Sequence, residues 1–215
     1  MRRILLYAVA VLAVGTLYWA YRASQFVPDR YEELLQADAR RQATASTEMF
    51  NRAQRLIRTA KQPGKWREAF SAEQINGYLA VDLEKQFAEV LSDEIRDPRV
   101  HIGDKTITLY CRYKGAAGES VLSIEWEPFL AERDVLGLRL VDARAGSLPL
   151  PAGRVRKALS EATAAAELAV RWVDDADGLV ALVAIPHTKQ GRQVELTHLE
   201  LADDEIRLAG EIHRK

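Results

Sequence analysis

Thr106-Ile107-Thr108-Leu109-Tyr110-Cys111-Arg112-Tyr113 decides the fold. Ile107, Leu109, Cys111 and Tyr113 alternate with Thr106, Thr108, Tyr110 and Arg112, the period of two that gives a strand one apolar and one wet face. Gly115 to Gly118 turns the chain. Leu122, Ile124, Trp126 and Pro128 then alternate with Ser123, Glu125 and Glu127, and Leu136, Leu138 and Leu140 repeat the pattern against Gly137 and Arg139. Three such runs in succession predict an antiparallel meander. His101 falls in a short lead-in strand, Arg99 to Ile102.

Working outward, the period on either side becomes helical. Ser71, with Gln74 three residues later, forms a capping box, and Phe70 can staple to Ile75. Ile75, Leu79, Leu83, Phe87 and Val90 or Leu91 then recur on one helix face, ending by Asp97-Pro98. Gly77 lies inside that periodic segment, which marks close approach of another backbone. After the proline-rich stretch Gly146 to Pro151, a second helix carries Val155, Leu159, Ala162, Ala166, Ala169 and Val173, and the acidic turn Asp174 to Gly178 ends it. Strands resume at Leu179 to Ile185, Val194 to Leu201 and Ile206 to Ile212. Ala202-Asp203-Asp204 makes a tight turn, and the alternation slips near Thr197-His198, which predicts a bulge. The fold class is therefore α+β, an antiparallel sheet of about six to seven strands with two helices packed on one face.

The amino-terminal end reads differently. Ile4 to Tyr21 carries no charge, and at about 1.5 Å per residue reaches about 27 Å, close to the hydrocarbon thickness of a bilayer. Tyr18, Trp19 and Tyr21 cluster at its exit end like an aromatic belt. A cleavable signal peptide fits poorly, because bulky tyrosines stand two positions before the candidate sites at Ala20 and Ala23. Arg2 and Arg3 favour a cytoplasmic start. From Pro28 to about Lys61 the sequence reads as one helix of about 50 Å, too polar in its middle for a core element. The expected organisation is a transmembrane signal anchor over 1–22, a helical stalk over 23–62 and an extracytoplasmic α+β domain over 63–215. The expected location is the bacterial cytoplasmic (inner) membrane, crossed once.

Charge is balanced, with 30 Lys and Arg against 31 Asp and Glu, so no global field recruits nucleic acid. The single cysteine, Cys111, rules out an internal disulfide, and its place in an alternating strand makes it an inert, buried thiol. Asp174-Asp175-Ala176-Asp177-Gly178 resembles a calcium loop, but Val173 stands where the first ligand belongs and Ala184 where the closing glutamate does. His101, His187, His198 and His213 are scattered, without metal-ligand spacing. His198 and Glu200 share a strand face and read as an exposed pair rather than a base and its orienter. Ser71 is used as a cap, and Ser123 and Ser147 lack a nucleophile elbow. No cofactor, metal or catalytic residue is expected.

Phe70-Ser71-Ala72-Glu73-Gln74-Ile75-Asn76-Gly77-Tyr78-Leu79 resembles the F-[ST]-x-x-[EQ]-[LI]-N-x-[YWL]-L segment of small membrane-anchored bacterial envelope proteins. Ala145 to Pro151 followed by Val155 is similar to their G-x-[LI]-x-[LIV]-P…V turn into a second helix, and Asp97-Pro98-Arg99-Val100 fits the same layout. The outline is YpmS-like over about residues 66 to 215. The resemblance implies an envelope domain and supplies no catalytic residue. The reading that follows is a non-enzymatic interaction or scaffold module. The alternative is a lipid- or amphiphile-binding module, with Ile75, Leu79, Leu83, Phe87, Val155 and Leu159 lining an apolar groove between helices and sheet. Arg154, Arg156 and Lys157 are candidate contacts to anionic headgroups.

Overall fold

A computed structural model describes residues 2–59, 62–83, 94–115, 118–132, 134–166, 168–185 and 193–213, with side chains from residue 12 onward and that of Gln193 excepted. The chain is α+β, and its larger sheet is antiparallel with seven strands. Helix α1 (Arg2–Ser24) leads to α2 (Asp29–Leu35) and α3 (Ala39–Thr59), then β1 (Gly64–Ser71) and α4 (Ala72–Val81). The meander follows as β2 (Ile95–Ile102), β3 (Ile107–Gly115), β4 (Gly118–Glu132) and β5 (Val135–Ala145), with the two-residue β6 (Leu148–Pro149). After α5 (Ala152–Ala165) come β7 (Val170–Asp175), β8 (Gly178–Ala184), β9 (Gln193–Ala202) and β10 (Glu205–His213).

The larger sheet runs β2-β3-β4-β5-β8-β7, with β6 on the end of β5, and a smaller one runs β1-β10-β9. The meander is the one expected. Its register is unbroken from Ile107↔Trp126 to Gly115↔Gly118. The single sheet is corrected to two, because β1, a stretch with no clear alternation around Trp66, pairs along its whole length with β10 and draws β9 with it. The two sheets meet where β9 lies against β4. The bulge falls at Thr197: Ala209 pairs with His198 and Gly210 with Leu196, leaving Thr197 over. Asp203 and Asp204, both at positive φ (56° and 59°), make the tight turn.

Three expectations are corrected. The stalk is not one helix: Asp38 breaks it, its carboxylate accepting the backbone N–H groups of Arg40 (2.9 Å) and Arg41 (3.2 Å) as the cap of α3. The chain then folds back, and α3 packs along α4 with Ala45 and Ser46 buried. Nor do these residues stand clear of the domain, since Tyr31 is fully buried, stacked on Tyr110 at 5.7 Å. The second helix stops at Ala165, and Val170 to Asp175 is a strand. Its β-branched and aromatic residues pair with β8, and this pairing outweighs a helical spacing built mostly from alanine. Finally, the helices do not share one site on the sheet: α4 packs on α3, β1 and β2, whereas α5 packs on β5 and β7.

The expected span covers residues 4–21, and the side chains of residues 4–11 lie outside those described. Among the described residues no helix is long and apolar enough to cross a membrane. The last turn of α1 is bound to the sheet: Ser147 donates to the Ala23 carbonyl from its N–H (2.9 Å) and its hydroxyl (3.2 Å). Gly146, at φ 60°, makes that contact feasible. A Cβ there would collide with the backbone oxygens of Ala23 and Ser24.

Candidate functional site

The Phe70 to Leu79 segment supplies one wall of the main cleft, through Ser71, Glu73, Asn76 and Gly77. Phe70 is buried at the end of β1. Ser71 accepts the Gln74 N–H (3.2 Å) while the Gln74 side chain accepts the Ser71 N–H (3.3 Å), the capping box expected. Gln74 reaches on to Glu48 of α3 (3.1 Å). Asn76 donates to the Val100 carbonyl and accepts the Val100 N–H, both at 2.7 Å, so its amide stands in for the next strand along β2. Gly77 is the close approach read from the sequence: a Cβ there would lie 2.7 Å from both the Gln42 oxygen and the Ser46 nitrogen.

Where α2 breaks into α3, a cleft of about 410 Å³ opens beside the start of α4. Arg30 and Glu33 line it from α2, Arg41 from α3, Glu73 and Asn76 from α4, His101 from β2 and Asp204 from the β9–β10 turn. Arg30 binds Glu33 (2.9 Å) and turns its Nε and Nη2 to Nδ1 of His101 at 3.4 and 3.3 Å. That nitrogen is therefore the acceptor, and the His101 proton sits on Nε2. Burial, and next the Arg30 guanidinium, push the His101 pKa below its usual value. Arg41 faces Glu73 at 3.6 Å. Two cations, Arg30 and Arg41, thus stand among three carboxylates, Glu33, Glu73 and Asp204.

Beneath the cleft, burial and then the Asp97 carboxylate push Tyr31 up to about 12, and its hydroxyl donates to the Asp97 carbonyl (2.8 Å). The Ser46 hydroxyl donates to Asp82. Neither hydroxyl is poised as a nucleophile. Burial pushes the Cys111 thiol up to about 11, which leaves it protonated. Among the described residues no three His, Cys, Asp or Glu side chains are grouped to hold a metal ion. His198 and Glu200 form an exposed contact at 3.5 Å, with Arg207 3.9 Å from the same carboxylate.

The five groove candidates among the described residues do not converge. Ile75, Leu79 and Leu83 are half-buried at the β2 end of the sheet. Val155 is buried and Leu159 half-buried on α5, by β5 and β7 at the other end. Phe87 lies outside the described residues. Arg154, Arg156 and Lys157 are all exposed on the first two turns of α5, and Arg156 also binds Asp174 (3.2 Å). Arg30, Glu33, His101 and Asp204 were missed as a group because they come from three distant stretches, and no spacing in the sequence joins α2 to His101 or Asp204.

No family model, curated protein or solved structure matches this chain.

Proposed function

We propose that this chain is a single-pass, membrane-anchored interaction module of the bacterial cell envelope, held at the surface of the cytoplasmic membrane with its domain outside. The carrying observation is the surface of α1. Leu12, Val14, Leu17, Tyr18 and Trp19 are each 64–73% exposed, on every side of the helix. A helix apolar all round needs an apolar surrounding, and the domain does not supply it. The aromatic residues at its exit end suit the headgroup level. The hydrogen bonds between Ala23 and Ser147 place the sheet directly at the foot of this helix, in place of the raised stalk expected from sequence.

Two further observations agree. Arg154, Arg156 and Lys157 follow Ser147 by at most ten residues, and Arg154 in the first turn opposes the α5 dipole, which an anionic surface would offset. The cleft at His101, apolar over most of its lining with the Arg30–Glu33 and Arg41–Glu73 pairs about it, offers a docking recess. The test is alkaline carbonate extraction of the full chain beside a variant lacking residues 1–22. The full chain is expected to stay with the membrane pellet and the variant in the supernatant. Extraction of both sinks the anchor. The lipid-carrier reading has less behind it, since its groove candidates among the described residues lie at opposite ends of the sheet.

A further inference from the structure

We propose that a second copy of this chain adds to the sheet at the outer edge of β7, antiparallel and centred on Val173. The two edges of the larger sheet are built differently. At β2 the Asn76 amide occupies both backbone groups of Val100, and the register breaks at Asp97 and Pro98, devices that close an edge to strand addition. At β7 neither device is present. Val170 to Asp175 pairs with β8 without a register shift, β7 ends the sheet among the described residues, and Arg171, Val173, Asp174 and Asp175 are exposed.

The backbone sets which groups face outward. The Ala184 N–H donates to the Ala169 carbonyl (3.3 Å), so Ala169 and Ala184 form a hydrogen-bonded pair. By alternation Arg171 and Val173 turn their backbone groups to β8, while Val170, Trp172 and Asp174 turn theirs outward. An open row of donors and acceptors remains.

Charge selects a second copy as the occupant, and also the register. Two identical antiparallel strands in one sheet are related by a two-fold axis through a residue paired with itself. Centred on Val173, Arg171 of each copy faces Asp175 of the other, giving two opposite-charge pairs on one face. Centred on Trp172, Arg171 would face Val173 and both pairs would be lost. In the favoured register the two Val173 residues form a non-hydrogen-bonded pair, with Cα atoms about 4.5 Å apart, within disulfide reach.

Cysteine cross-linking of the full chain in detergent tests this, in a Cys111→Ser background. Val173→Cys is expected to oxidise largely to a disulfide-linked dimer. Arg171→Cys, whose two copies would stand about 14 Å apart, should yield about tenfold less. Adding Arg171→Asp to Val173→Cys should cut the yield several-fold by setting acid against acid. A monomeric Val173→Cys, equal linking at 171 and 173, or indifference to Arg171→Asp each overturns the pairing. The pairing does not require the membrane reading: a chain that cross-links yet extracts at alkaline pH keeps the dimer and loses the anchor.

Discussion

Asn76 and Val100 are joined by two hydrogen bonds of 2.7 Å, a helix side chain completing the ladder of an edge strand. Val100 is buried, so water cannot replace the amide. Asn76→Ala leaves one donor and one acceptor unpaired, at about 1–3 kcal/mol each. A loss of about 2–5 kcal/mol in urea unfolding is expected. A change within about 0.5 kcal/mol, ordinary for a surface substitution, would contradict the bridging role.

Gly77→Ala ought to help an isolated helix by about 1 kcal/mol. Here the added methyl meets backbone atoms of Gln42 and Ser46 at 2.7 Å, and neither can rotate away. Separating α3 from α4 is expected to cost about 1–3 kcal/mol net. The thermal midpoint of the variant should fall; a rise would mean that the helices pack less closely than described.

The boundary drawn from sequence at residue 63 is expected to fail as a cut. A chain of residues 23–215 keeps Tyr31 under Tyr110 and α3 on α4, and should show a cooperative transition. A chain of residues 63–215 exposes Tyr110, Gly77 and the α4 face together, and should aggregate or melt broadly. Size-exclusion chromatography with far-UV circular dichroism distinguishes the two. A stable, monodisperse 63–215 would restore the stalk.

Its folded-state pKa lowered by burial and Arg30, His101 binds its proton less tightly in the folded than in the unfolded chain. Its contribution is thus fully present above the unfolded value, about 6.5, and declines as pH falls through that value toward the lower folded one. His101→Gln should lessen the stability lost between pH 7.5 and 5.5, read from urea midpoints at both. An identical loss in both proteins would remove His101 as the cause.

Legibility followed the range of the interactions. The meander, the Ser71 box, the Thr197 bulge and the Asp203-Asp204 turn were readable because each leaves its pattern within a few residues of sequence, and Gly77, whose contacts Gln42 and Ser46 are distant, stood out as a glycine inside a helical period. The break at Asp38 was hidden because Ala39 to Thr59 continues the same helical composition. Val170 to Val173 fitted both periods, and β8, its deciding partner, comes later in the chain. The cleft at His101 and the seam between Ala23 and Ser147 join residues 71 and 124 positions apart, and no local pattern records such a pairing.

The central claim is that the domain sits against the bilayer at the foot of α1. Pro149, exposed and two residues past Ser147, lies within about 7 Å of that seam. The direct measurement places a fluorophore at Pro149→Cys, in a Cys111→Ser background, on the full chain in proteoliposomes carrying nitroxide-headgroup lipid. Strong quenching, lost in a chain lacking residues 1–22, is the predicted result. A probe that inserts with the chain yet escapes quenching would contradict the seat at the membrane, and a chain that does not incorporate would contradict the anchor itself.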